Sequence, residues 1–302
     1  MWSHRWTPTL STAVAVLVVV TSASCTTPGP AAAPADGSVR FSAGDGQQDG
    51  RCVVAAAGDV AGEDDHRVGA ARTAELITST RPRAVLALGD LAYGDGTAAE
   101  FADWYDTTWG AFRSITAPTP GNHEYRTDGK GYYDYFDVDP DYAFDLCGWR
   151  IVSVDQYAGM DAAVDFIEAE GRESGARPLL VFWHEPRFSS GSTHGSEPDV
   201  QPLWEAAVSA GADIVLNAHD HHYERFEPLD ADGDPRADGT VEFVSGNGGH
   251  HLRDTGDREL HSAAVATGVP GVLFLQLRVD GYDWAYTDVE GRTGDEGVRQ
   301  LE

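Results

Sequence analysis

From residue 51 onward, short apolar runs end abruptly in turns and alternate with stretches of helical spacing, an order that predicts strands interleaved with helices. Residues 52–57 read as a buried strand stopping at Gly58-Asp59, and residues 64–80 carry helical spacing through Val68, Ala71, Ala74, Leu76 and Ile77. Residues 84–88 predict a second strand, which stops at Gly89-Asp90. Residues 97–112, rich in Trp and Phe, predict a helix laid on the sheet, and 115–120 lead into Gly121-Asn122-His123-Glu124. Residues 142–146 and 149–154 flank Cys147-Gly148 as a β-hairpin. A helix over 161–170, a strand over 178–183, a helix over 198–210 and a strand over 213–216 continue the alternation. Beyond His222 the segments 241–245, 271–279 and 282–289 are β-rich with Gly turns and predict an antiparallel second sheet. No internal repeat occurs. The expected fold class is α/β, two packed mixed β-sheets flanked by helices in one domain over 51–302.

The first fifty residues follow another pattern. Residues 1–25 begin with His4 and Arg5, run apolar over 13–20 and exit through small residues, the layout of a secretory signal peptide. The apolar run is too short to span a bilayer. Cys25 after Ala23-Ser24 resembles a bacterial lipoprotein site, with Ser22 where a leucine is usual, so two outcomes stand: lipid anchoring at Cys25, or cleavage and release. Either way the expected location is exported, extracellular or on the outer face of the cell membrane. Residues 26–50, made of Pro, Ala, Gly and polar residues, predict a disordered linker.

Charge narrows the function. The chain carries 21 Lys plus Arg against 49 Asp plus Glu, formally −28, which argues against a nucleic-acid or anionic-membrane binder. It also repels anionic substrates at long range, so phosphate chemistry would have to rest on local cations. None of the three cysteines lies in a Cys-x-x-Cys pair, which argues against a thiolate zinc site or a dithiol redox centre. Cys52 and Cys147 leave two readings open, one disulfide or two buried thiols.

Five strand ends deliver a hard oxygen donor or an imidazole: Asp59, then Asp90 with Tyr93, then Asn122 and His123, then His184, then His219 and His221. Those are metal-ligand types, and strand ends are where sheets present them. Singly, each has a dull alternative. Asp59 or Asp90 would cap a helix, Tyr93 would be core, Asn122 a turn residue and His184 a satisfied core histidine. Their joint occurrence weighs against that.

The ordered set GD (58–59), GDLAY (89–93), GNHE (121–124), VFWH (181–184) and AHDH (218–221) resembles the metallophosphoesterase superfamily over roughly residues 52–290. More narrowly it resembles the purple acid phosphatases, because Val60 and Ala61 follow Asp59 where many superfamily members carry Asp-x-His, and Tyr93 stands three after Asp90. The resemblance implies a four-layer α/β/β/α sandwich. It implies one metal, ferric iron, held by Asp59, Tyr93 and His221, and a second, zinc, manganese or ferrous iron, held by Asn122, His184 and His219, with Asp90 bridging. His123 is expected to face the phosphate with Glu124 orienting its imidazole, and His194, ten residues after His184, to contact substrate and protonate the leaving alcohol. The implied activity is hydrolysis of small phosphomonoesters by a metal-activated hydroxide at acidic pH. The alternatives are a phosphodiesterase or nucleotidase on the same metals, or a surface metal-binding protein with vestigial activity.

Two departures qualify the likeness. Ala218 stands where a glycine is usual, which strains the turn only if the position needs positive φ. Residues 26–50 are too few for the fibronectin-like domain of the plant enzymes, leaving oligomerisation through it unsupported. Glu224 and Arg225 are expected to pair and hold a loop, His66 and His261 to lie on the surface, and Tyr132, Tyr133, Tyr135 and Phe136 to pack. The run from Gly246 to His250 resembles the glycine-rich loop that borders the site in relatives, which leaves open whether His250 or His251 touches substrate.

Overall fold

The computed structural model describes residue 1 and residues 52–301, so the expected signal over 1–25, Met1 aside, and the linker over 26–50 lie outside the described residues. In chain order the elements are β1 (Val53–Ala57), α1 (Asp65–Thr80), β2 (Ala84–Leu88), α2 (Ala98–Glu100), β3 (Thr116–Thr119), α3 (Lys130–Phe136), β4 (Tyr142–Leu146) and β5 (Trp149–Ser153). There follow α4 (Met160–Ser174), β6 (Leu179–Phe182), α5 (Gln201–Ser209), β7 (Ile214–Asn217), β8 (Tyr223–Phe226), β9 (Val241–Ser245), β10 (Ser262–Ala266), β11 (Gly271–Arg278), β12 (Gly281–Asp288) and β13 (Thr293–Gln300).

They form two mixed sheets, β13-β12-β11-β1-β2-β3 and β10-β8-β9-β7-β6-β5-β4. Within the first, β1, β2 and β3 run parallel; within the second, β5, β6, β7 and β9 do. Alternation along each strand sets the layers. In β1, Val54 and Ala56 join Leu216, Phe243 and Leu275 in the core between the sheets, while Ala55 and Ala57 face the layer of α1 and α3 with Ile77 and Tyr132. On the far side Val152, Val181 and Val215 pack against α4 and α5 through Ile167, Leu203 and Trp204. This is the helix–sheet–sheet–helix order the pattern implied.

The C-terminal strands do not make an antiparallel sheet of their own. They divide: β11, β12 and β13 extend the first sheet antiparallel from β1, while β9 enters the second sheet parallel to β7. The reason lies in β11, where Val272 and Phe274 face the helices and Leu273, Leu275 and Leu277 face the inter-sheet core. A strand apolar on both faces has to sit inside a sheet, and β11 lies between β1 and β12.

The helix expected over 97–112 is broken. Thr97 caps α2 with a reciprocal bond to Glu100, the next turn widens so that Asp106 N–H donates to the Phe101 carbonyl, and a tight turn covers Trp109–Ile115. The Thr107 and Thr108 hydroxyls bond the Asp103 and Trp104 carbonyls, competing with the helical ladder at the break.

Cys52 and Cys147 form a disulfide across 95 positions, deciding between the two readings. It ties the start of β1 to the β4–β5 turn, and so one sheet to the other, at the end of the strands away from the candidate site. Closing so long a loop stabilises by restricting the unfolded chain. Replacing both cysteines with serine is expected to lower unfolding free energy by about 2–4 kcal/mol in urea titrations and to leave metal content unchanged.

Candidate metal centre

Because β1, β2, β6 and β7 are parallel within their sheets and the sheets pack face to face, the turns after them gather on one edge. The ladder continues past β1 and β2: Asp59, Val60 and Ala61 N–H donate to the Gly89, Asp90 and Leu91 carbonyls at 3.0, 2.9 and 3.2 Å. That fixes Asp59 beside Asp90. Three candidate ligands, Asp59 (φ 56°), Asp90 (φ 51°) and His219 (φ 65°), hold left-handed backbone. Side-chain residues seldom adopt it, and such strain clusters at functional sites. Gly89 has positive φ too, and a methyl there would run into the His184 imidazole.

Ala218, by contrast, is not left-handed, so the departure from glycine costs no backbone strain. Its methyl faces Gly58, where an added Cβ would come within 2.5 Å of it.

The side chains form two adjoining groups. In one, the Tyr93 hydroxyl meets Asp59 Oδ1 in a short hydrogen bond and lies 3.0 Å from His221 Nε2, which is 3.2 Å from Asp59 Oδ1. In the other, His184 Nε2 lies 3.5 Å from Asp90 Oδ2 and 3.2 Å from His219 Nδ1. One ligand atom each from Asp90, His184 and His219 falls within 4.8 Å of the others. Among the described residues, Asn122 Oδ1 and Asp59 Oδ2 are buried without a partner.

These residues fit metal ions. Buried acceptors without donors are rare, and a cation satisfies them. His184 Nδ1 is engaged by the Leu88 carbonyl at 2.8 Å and His221 Nδ1 by the His251 carbonyl, which leaves each Nε2 turned inward as metal-ligating histidines require. Burial, with the His184 imidazole alongside, pushes His219 down to about 3, so it keeps a free lone pair. Burial raises Asp59 and Asp90, but His221 and His184 respectively outweigh it and hold both carboxyls below their ordinary value. Burial, with Asp59 and Asp90 alongside, pushes the Tyr93 phenol well above its ordinary value, so only a cation could draw off its proton.

His123 lies at this edge, its Nε2 3.9 Å from Asp90 Oδ2 and its backbone N–H donating to Asp90 Oδ1 at 2.9 Å. Glu124 does not orient that imidazole. The Gly94 carbonyl, 2.7 Å from Nδ1, and Arg126, 3.3 Å from Nε2, do so instead. Glu124 is fully buried beneath the Asp90 loop and accepts from the backbone N–H groups of Asp90, Leu91, Ala92 and Gly121 at 2.8–3.2 Å. It shapes the backbone that presents Asp90. Burial and the Asp90 charge push its carboxyl up to about 7 against the pull of those donors.

His194 is exposed on its loop with its ring 4.1 Å from that of His219, so the structure brings it to the site's rim. His250 stacks flat on Tyr93, centroids 3.4 Å apart, while His251 is exposed. His66 is half-buried, 4.2 Å from His250 ring to ring, and His261 is half-buried as well, so neither is the surface residue expected. Nor do Glu224 and Arg225 pair with each other. Glu224 accepts from Ser190 and Ser262 and meets His222, holding the base of the His194 loop; Arg225 bonds Asp295. Strand alternation turns the two side chains to opposite faces.

The comparisons agree with this geometry. Residues 53–223, more than half of the chain, match the calcineurin-like phosphoesterase family, and the chain belongs to it. By family it is a hydrolase of phosphoric ester bonds. Within the family its likeness runs to the purple acid phosphatases: it is 31% identical over 118 residues to purple acid phosphatase 15 of Arabidopsis thaliana. That match takes in 36% of this chain and only 22% of the relative's length. The structure of purple acid phosphatase PPD1 from yellow lupin seeds has a TM-score of 0.69 at 18% identity, covering 88% of this chain and 55% of that one. GAP50, the anchor in the inner membrane complex of Plasmodium, has a TM-score of 0.68 at 14% identity, covering 83% and 89%. At such identities the structural likeness is one of fold.

Proposed function

We propose that this chain is an exported phosphatase that hydrolyses small phosphomonoesters at acidic pH with two metal ions. The observation that carries the reading is the convergence of Asp59, Tyr93 and His221 beside Asp90, His184 and His219, with the Asp59 and Asn122 oxygens buried and unclaimed. Asp59, Tyr93 and His221 would hold one ion, ferric iron by the chemistry of a phenolate; Asn122, His184 and His219 would hold zinc, manganese or ferrous iron, with Asp90 shared. When bound, such ions act as Lewis acids toward a phosphate oxygen and lower the pKa of a water.

The chain's own residues do the rest. His123, fixed by Gly94 and Arg126, stands where a phosphate above Asp90 would be met. His194, with its ring 4.1 Å from that of His219, would return a proton to the departing alcohol. Burial and Arg253 hold its imidazole below the ordinary value, which supports an acidic working range, where it carries that proton. Export is supported by the layout of residues 1–25.

A phosphodiesterase could use the same centre, and an anchor protein shares the fold, so activity on defined substrates decides. The expected result is p-nitrophenyl phosphate turned over at least tenfold faster than its bis ester, in each case abolished by a chelator and restored by metal. Equal rates would remove the monoesterase claim; no chelator-sensitive hydrolysis would remove the enzyme.

A further inference from the structure

One arginine at the edge of the candidate centre carries a buried N–H group without an acceptor among the described residues. Arg253 follows the glycine-rich run 246–249 by a few residues, and its backbone N–H donates to the His221 carbonyl at 3.1 Å. The segment around it is zipped to the His194 loop. Ser192 donates to the Asp254 carbonyl through its N–H at 3.3 Å and its hydroxyl at 2.7 Å, and Gly191 pairs with Thr255 in a short bridge. Arg253 is therefore tied through its backbone to a candidate ligand, on a segment paired with the loop that carries the rim histidine.

Its Nη1 is buried and makes no hydrogen bond among the described residues. In a chain with 49 acidic side chains that is out of pattern, and Arg150, Arg225 and Arg292 each face a carboxylate. A charged N–H taken from water and given no acceptor is unfavourable, and one retained at a site's edge implies an acceptor arriving with the ligand. A guanidinium is the side chain best matched to phosphate oxygens. The chain's −28 net charge opposes anions approaching from solution, so a cation beside the metal site would aid capture of the phosphate. Arg126, the other arginine at this edge, is already engaged by Gly94 and His123.

We propose that Arg253 binds non-bridging oxygens of the substrate's phosphate group and thereby favours the monoester, which presents three such oxygens, over the diester, which presents two. This rests on the phosphatase reading. The test is calorimetric titration of the metal-loaded protein with inorganic phosphate, for wild type, Arg253→Met and Arg253→Lys, with metal content measured on each. Arg253→Met is expected to weaken phosphate binding by about 10- to 100-fold, the scale of one hydrogen bond to a charged group, with Arg253→Lys between and all three retaining metal. Phosphate binding of wild-type strength in Arg253→Met would overturn the assignment while leaving the metal centre standing. Wild-type protein that binds metal but no phosphate would overturn it too, and wild-type protein that takes up no metal would bring down the phosphatase reading and Arg253 with it.

Discussion

Asp90→Asn is expected to lower kcat/KM for p-nitrophenyl phosphate by at least about a hundredfold, since even groups that only support metal ligands are worth 10- to 100-fold. Asparagine keeps the shape and keeps an oxygen for the His123 backbone N–H, now bonded to Oδ1 at 2.9 Å. What it removes is the negative charge 3.5 Å from His184 Nε2, the charge that the proposed bridge between the two ions needs. With that anion gone, Asp59 is the one carboxylate left in the proposed ligand set. Metal content should fall with the rate. Turnover within a few-fold of wild type would mean that Asp90 bridges nothing.

Glu124→Ala should be the most destabilising single change near the centre, by about 3–5 kcal/mol, the range for stripping the partner from a buried charged network. Glu124 has no exposure, and its two oxygens accept four backbone N–H groups from the loops that carry Asp90 and Asn122. Alanine leaves all four donors in the dark with nothing to bond. Glu124→Gln keeps one acceptor oxygen and the volume, so its loss should be roughly half as large. Urea midpoints at constant m measure both. An alanine variant as stable as wild type would show that the loops hold their shape without the carboxylate.

The contrast between those two residues marks what the sequence discloses. Asp59, Asp90, Asn122, His184 and His219 are legible because each follows an apolar run that must be a strand, and parallel strands deliver their C-terminal turns to one edge. Glu124 is legible as a member of GNHE but not in its task, since nothing local distinguishes a carboxylate aimed at an imidazole from one aimed at backbone N–H groups, three of which lie more than thirty positions away. The strand content of the C-terminal third was visible, its division between sheets was not, because strand partners are fixed by contacts hundreds of positions apart, such as Val54 with Leu275. A signal was present in residues 272–277, apolar on both faces and therefore interior. Arg253 left no pattern at all. Only the pairing of its segment with the His194 loop reveals it.

Side chains from five strand ends are proposed to enclose two ions. Elemental analysis of the purified wild-type chain and Asp90→Asn after exhaustive dialysis addresses it directly. Two equivalents of metal per chain, including iron, in the wild type and a marked loss in the variant are predicted. Metal-free wild-type protein that still hydrolyses phosphate esters would contradict it.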